Sequence, residues 1–318
     1  MKSWRLFAAN VGAHFTAAGV ESAELSGSSS AVERELPKLD VAGSIPVSRS
    51  ISFGANLAIL ILCMLGCSRF EPPPVDPITR RANARTTLAS HIQPVKLSNC
   101  EFERVGDKHD GGYVICKNLV GDAEAFYSYG IAGTDNWGCT LSARHQRPVH
   151  QYDCFNTDRP PCDGAKPVFH EECVGPKRET IEGRLFDTVA AQIERNGDAG
   201  KRLVMKMDVE GAEWPSLLAL PDSLLEKIDQ LSVEFHGVEE SEYAATMAHM
   251  VRLFYVVNIH YNNWTCSPDV KPFPATTFEL LLINKKIGIV EPGANPVIPN
   301  PLDAPNNWMR PDCQSAAP

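Results

Sequence analysis

From Cys100 onward, short apolar runs alternate with amphipathic stretches, and this alternation most limits what the chain can fold into. Ala125–Tyr129 reads as a strand that ends in the turn Gly130-Ile131-Ala132-Gly133-Thr134-Asp135. Asn136–His145 then fits a helix, and Val149–Tyr152 a second strand that ends at Asp153. Ile181, Leu185, Val189 and Ile193 recur every four residues, so the pattern predicts a helix from Ile181 to Asn196, with Gly197 beyond its end. Arg202–Met207 is a buried-type strand that leads into Asp208. Gln230–Phe235 is another, followed by a helix from about Glu239 to Leu253. Tyr255–Ile259 and Phe278–Ile283 are joined by a loop too short for a crossover helix, which makes them an antiparallel pair. The fold class expected is α/β: a doubly wound, mostly parallel sheet with an antiparallel edge strand.

Composition narrows the partners. The chain has 318 residues and a formal charge of −9, with no Lys/Arg-rich run. A nucleic-acid partner is therefore not expected, because phosphate binding needs a basic face. A small-molecule or glycan acceptor suits the charge better. Two of the ten cysteines, Cys63 and Cys67, lie in an apolar N-terminal stretch. The other eight form no C-x-x-C pair, so a structural zinc site is not expected. Disulfides in an oxidising compartment and buried free thiols both remain open for them.

The domain plan has five parts. Residues 1–50 read as a leader without structural periodicity. Within it, Gly43-Ser44-Ile45-Pro46-Val47 can be encoded by a stretch resembling the T-loop region of a transfer-RNA gene. That implies that Gly27–Ser50 is translated upstream DNA. Residues 51–67 hold the apolar core Leu57–Leu65, with Arg49 as a basic flank. This length suits a signal segment better than a spanning helix. Met64-Leu65-Gly66-Cys67 resembles a lipoprotein processing site, and an uncleaved membrane anchor is the competing reading. Either one implies membrane association. Residues 68–99 read as a Pro-rich linker, 100–290 as the α/β domain and 291–318 as a Pro/Asn-rich tail.

Ligands of open α/β sheets lie beyond the carboxyl ends of the strands, at the topological switch. Gly130 and Gly133 would let a ligand approach the backbone there, with Asp135 at the mouth of the next helix. Their spacing does not make G-x-G-x-x-G, which disfavours a dinucleotide cofactor. Asp153, at the end of the second strand, could accept from ribose hydroxyls. Lys206-Met207-Asp208-Val209-Glu210-Gly211-Ala212-Glu213-Trp214 places three carboxylates within six residues at the mouth of an apolar strand. Such charges repel unless a cation, a basic ligand or a proton offsets them.

Asp208–Glu213 after an apolar strand resembles the signature of FkbM-type, methyltransferase-like proteins. Gly106–Val114 resembles the segment that opens the domain in that family, Tyr127–Ile131 its cofactor-binding first strand, and Val233–His236 its fifth-strand end. The resemblance spans roughly Cys100–Ile283 with the motifs in the expected order. It implies a class I, Rossmann-like fold with S-adenosylmethionine as methyl donor, and transfer to a hydroxyl of a sugar or small molecule. Carried over, Gly130, Gly133, Asp135, Asp153 and Asp208 would bind the cofactor. Asp208 and His236 would be catalytic, His236 as general base because histidine titrates near neutral pH; His260 is a poorer candidate. A divalent metal on Asp208, Glu234 and His236 is a further expectation. The rival reading is an exported or membrane-anchored binding protein that keeps the fold without turnover.

Overall fold

Helix α1 (Pro77–His91) occupies much of the stretch expected to be a linker. Its start has a local cause. The Asp76 carboxylate accepts from the Ile78 and Thr79 N–H groups, both at 3.0 Å. Pro77 stands where a missing N–H costs the helix nothing. The computed structural model describes residues 75–313. The leader (1–50) and the signal or anchor segment (51–67) lie outside the described residues. Among the described residues, no helix is long and apolar enough to cross a membrane.

The chain continues as an antiparallel hairpin, β1 (Phe102–Gly106) and β2 (Gly112–Cys116). Next come β3 (Ala125–Tyr129), α2 (Asn136–His145), β4 (Pro148–Tyr152) and β5 (Lys166–His170). A small three-stranded sheet of β6 (Cys173–Val174), β7 (Glu179–Ile181) and β8 (Arg184–Asp187) interrupts the alternation. It resumes with α3 (Val189–Arg195), β9 (Leu203–Met207), α4 (Glu213–Leu218), α5 (Asp222–Leu225) and β10 (Ile228–His236). The last elements are α6 (Ser241–Met250), β11 (Phe254–Tyr261) and β12 (Thr277–Asn284).

Seven strands form the main sheet in the order β11-β12-β10-β9-β3-β4-β5. β3 is central: the chain moves outward from it through β4 and β5, then returns to its other side with β9 and β10. The carboxyl ends of β3 and β9 therefore flank the point where the winding reverses. Alternate residues feed two cores. Ala125, Tyr127 and Tyr129 of β3 join the larger core with Leu88 of α1, Ile193 of α3, Trp214 of α4 and Met247 of α6. Phe126 points the other way, into a smaller core with Trp137 and Leu141 of α2 and Tyr113 and Ile115 of β2.

Two sequence expectations are corrected. The reversed strand is β12, which is antiparallel to both β10 and β11 and lies between them, so the edge belongs to β11. All eight residues of β12 are buried, and a strand buried on both faces belongs inside a sheet. The helix expected over Ile181–Asn196 is confined to Val189–Arg195. Its first half is instead the β7–β8 hairpin, whose turn residues Glu182 and Gly183 have φ of 51° and 79°. Two positive φ values in sequence make a hairpin turn that a helix cannot accommodate. The Thr188 side chain then caps α3 by accepting from Ala191 N.

All eight described cysteines are paired, as Cys100–Cys116, Cys139–Cys162, Cys154–Cys173 and Cys266–Cys313. The free-thiol reading therefore does not hold for them. The last bridge ties the tail to the loop between β11 and β12.

Because α1 belongs to the core, Leu88→Ala should cost about 2–5 kcal/mol through the cavity it leaves. Urea unfolding measures this. An unchanged midpoint would show that residues 77–91 are a dispensable linker.

Candidate functional site

Gly130 closes β3 with φ +72°, and a Cβ there would lie 1.7 Å from the Asp208 carbonyl oxygen. The glycine is thus required by the close approach of the β3 and β9 ends. Asp208 N donates to Tyr129 O at 3.0 Å, and Gly130 N to Tyr152 O at 2.9 Å. The turn is then held from outside. One oxygen of the buried Asp153 carboxylate accepts from Ile131 N and Ala132 N, at 3.2 and 2.8 Å. The other accepts from Phe155 N and Asn156 N, both at 2.9 Å. Four N–H donors use the carboxylate's main lone-pair directions. Asp135 is likewise engaged, accepting from Ser128 Oγ, Gly138 N and the Gln151 side chain. Two of the three acids expected at the cofactor, Asp153 and Asp135, therefore hold the turn, with Gly133 (φ +82°) packed beside the Asn156 side chain.

Asp208 is different: its side chain is 23% exposed. Its Oδ2 accepts from Tyr113 OH at 3.2 Å and lies 3.8 Å from Lys206 Nζ. The ammonium is itself fixed, donating to Gly130 O at 2.7 Å. One residue back, Met207 pairs with Val233, which sets Asp208 beside Glu234 on β10. Glu234 is the register partner of Glu279 on β12, and Glu279 of His260 on β11. A row of carboxylates, Asp208, Glu234 and Glu279, therefore crosses the sheet and ends on His260. Like charges directly opposite destabilise a sheet, and Glu234 and Glu279 are both buried.

The row is neutralised in part. Burial, then the Asp208 charge, pushes the Glu234 carboxyl well above the usual range, which favours its neutral form. It also accepts from Asn262 Nδ2 at 2.6 Å. His260 Nδ1 lies 3.3 Å from Glu279 Oε2. Burial opposes charge on this ring, but the bond to Glu279 and its charge outweigh burial and raise the pKa to about 9.

His236 lies nearby but is committed elsewhere. Its Nδ1 is 3.1 Å from Glu213 Oε1 and its Nε2 is 3.6 Å from Glu210 Oε2. Glu213 is completely buried and also accepts from His236 N and Gly211 N. Burial again opposes the charge, yet the Glu213 carboxylate prevails and lifts His236 to about 10. An imidazolium at neutral pH donates protons and is not poised to take one. The expected metal set of Asp208, Glu234 and His236 does not converge: among the described residues, no group of three or more His, Cys, Asp or Glu could hold a metal ion.

Reading the sequence alone missed Asn262, Glu279 and Asn306, and gave no role to Tyr113 and Lys206 within the motifs it singled out. Glu279 left a signal, as a lone acid within the apolar run Phe278–Ile283. Asn306 left none. Comparisons with protein-family models, curated proteins and solved structures give no match to this chain.

Two outcomes test this arrangement. Asp153→Ala strands four peptide N–H groups and should cost on the order of 3 kcal/mol; a melting temperature equal to wild type would refute the clamp. His236 has its pKa raised on folding, so its contribution is complete below the unfolded value of about 6.5 and fades as pH rises through about 10. His236→Gln should accordingly flatten the fall in stability between those two values. An unaltered pH profile would contradict the ion pair with Glu213.

Proposed function

We propose that the described domain is an S-adenosylmethionine-dependent methyltransferase of the class I, doubly wound type, acting on a hydroxyl of a small molecule or glycan. The observation that carries this reading is the carboxylate row at the winding reversal, where Asp208 emerges from β9 beside the Gly130 turn. The parallel strands, numbered in chain order, run 3-2-1-4-5-6 across the sheet with β12 inserted before the last. That is the nucleotide-binding order of doubly wound sheets. S-adenosylmethionine, when bound, supplies an electrophilic methyl group on a cationic sulfonium. A positive centre is what Asp208 and Glu234 would stabilise.

The residues then divide the work. Gly130 and Gly133 keep the turn low enough for a ligand to lie against it, and Asp153 and Asp135 fix its shape. Lys206 holds Asp208 in place from Gly130 O. Glu234, with its carboxyl raised towards neutrality, suits proton exchange with an acceptor hydroxyl better than His236 does. His236 serves as the fixed positive charge between Glu210 and Glu213. No step requires a metal.

The second reading, an exported or membrane-anchored binding protein without turnover, is favoured by the four disulfides. Such bridges belong to oxidising compartments, and the donor is made in the cytosol. Cofactor binding separates the two.

Calorimetry with S-adenosylhomocysteine should show saturable binding. Asp208→Asn should lower methyl transfer by a factor on the order of 10²–10⁴, with the melting temperature kept. Full activity in Asp208→Asn, or loss only through unfolding, sinks the assignment.

A further inference from the structure

Beyond Asp208 and Glu234, the carboxylate row meets the segment read as a Pro/Asn-rich tail. Asn306 reaches in from that segment and donates its Nδ2 to Glu279 Oε1 at 2.8 Å and to Asp110 Oδ1 at 3.3 Å. Asp110 sits at the exposed tip of the β1–β2 hairpin, whereas Glu279 is buried. The tail is held there by Asn258 Nδ2 on Asp303 Oδ1, by Asn263 Nδ2 on the Asn307, Arg310 and Pro311 carbonyls, and by the Cys266–Cys313 bridge.

Two independent features point to a ligand. The first is charge. Asp110, Asp208, Glu279, Asp303 and Asp312 are set against Lys206 and His260, since His236 is already engaged by Glu213 and Glu210. The second is valence. Asn306 is only 4% exposed, yet its Oδ1 is buried with no hydrogen-bond partner. A buried acceptor without a donor costs about 1–3 kcal/mol. His260 Nε2 faces Asp312 Oδ1 at 3.5 Å, so the capacity left at Asn306 is an acceptor, which suits a ligand that brings donors and positive charge together. An ammonium has three donors and no acceptor. A metal ion fits less well, because no three of the acidic or histidine groups are placed to hold one.

We propose that Asp110, Glu279 and the amide oxygen of Asn306 bind a protonated primary amine, and that this amine belongs to the acceptor. The assignment as acceptor rests on the methyltransferase reading; the amine site rests on its own geometry. Asp110 meets the amine at the exposed hairpin tip, the buried Glu279 and Asn306 hold it further in, and the reacting hydroxyl is thereby presented towards Glu234. The acceptor class is thus an amino alcohol or amino sugar, and a neutral polyol is selected against because it leaves the carboxylates uncompensated.

The test is calorimetry of the full chain with hexamethylenediamine as probe and hexanediol as neutral control. Saturable binding of the diamine but not the diol is expected. Glu279→Gln and Asp110→Asn should each weaken it by on the order of tenfold. Asp110 is exposed, so its variant remains informative if Glu279→Gln, which strips His260 of its partner, fails to fold. Equal binding of the diol, absence of diamine binding, or affinity unchanged in the Asp110 variant overturns the proposal. So does displacement of the diamine by calcium at equal concentration, which would make this a metal site. S-adenosylhomocysteine is titrated into the same protein. Diamine binding without it keeps the amine site and removes the methyltransferase reading; the reverse result removes only the amine site.

Discussion

A single carboxylate that satisfies four peptide N–H groups sets the geometry on which the rest of the site depends. Asp153 ties the turn after β3 to the loop after β4. With the turn pinned, Gly130 can sit against the Asp208 carbonyl at a distance no side chain allows. That approach aligns Gly130 O with Lys206 Nζ, and Lys206 in turn stands beside Asp208. Each link has few alternatives, because buried peptide groups must be paired and charged partners are the strongest pairing available. The Asp208 carboxylate is thus positioned by backbone geometry, with little left to its own rotamers.

The same economy explains how acidic residues can line up across a sheet. Facing Glu234 with Glu279 would be unfavourable if both were ionised. The chain moderates the repulsion in two ways. Burial raises the Glu234 carboxyl and so favours its neutral form, and Glu279 is paired with an imidazolium. Neither device removes the negative potential at Asp208 and Asp110. A cationic ligand would do so, and the favourable energy of its binding would include release of this repulsion. His236 belongs to a separate charge system with Glu210 and Glu213. There Glu210 accepts a φ of 54°, a conformation an L-residue adopts only when its surroundings require it.

Sequence pattern served well where the signal was local and periodic. Ala125–Tyr129 and Asn136–His145 match β3 and α2 residue for residue, and Arg202–Met207 differs from β9 by one residue. It failed where a periodic coincidence competed with turn chemistry. Ile181 and Leu185 are four apart, yet Glu182-Gly183 turns the chain between them. It failed too where composition obscured a start signal: Asp76-Pro77 begins a helix within a Pro-rich stretch. For the site, the acidic motif at Asp208 was visible because the charges are adjacent in sequence. Glu234 and His236 were visible as well, but their protonation was not. The proton on His236 follows from Glu213, twenty-three residues away in sequence and in direct contact in space. The expectation that a histidine near the site is the base treated it as isolated.

The parts of the site that no sequence pattern reveals come from segments with no repeating structure. The tail contributes Asn306 and Asp303, and the hairpin contributes Asp110 and Tyr113. Neither segment is part of the main sheet, so each must be attached to it separately. The Gln230 side chain does this for β2, accepting from Cys116 N and donating to Cys116 O at 3.0 and 2.9 Å. The Cys266–Cys313 bridge and Asn263 do it for the tail. A sheet edge or a strand end could have been covered by apolar contacts alone, with no fixed register. Attachment by directional bonds and a covalent link instead fixes where each polar group falls. Asn306 can then meet two carboxylates at once, at the cost of an amide oxygen left without a donor. A buried acceptor left open between two carboxylates is the arrangement expected when the missing donor arrives with the ligand.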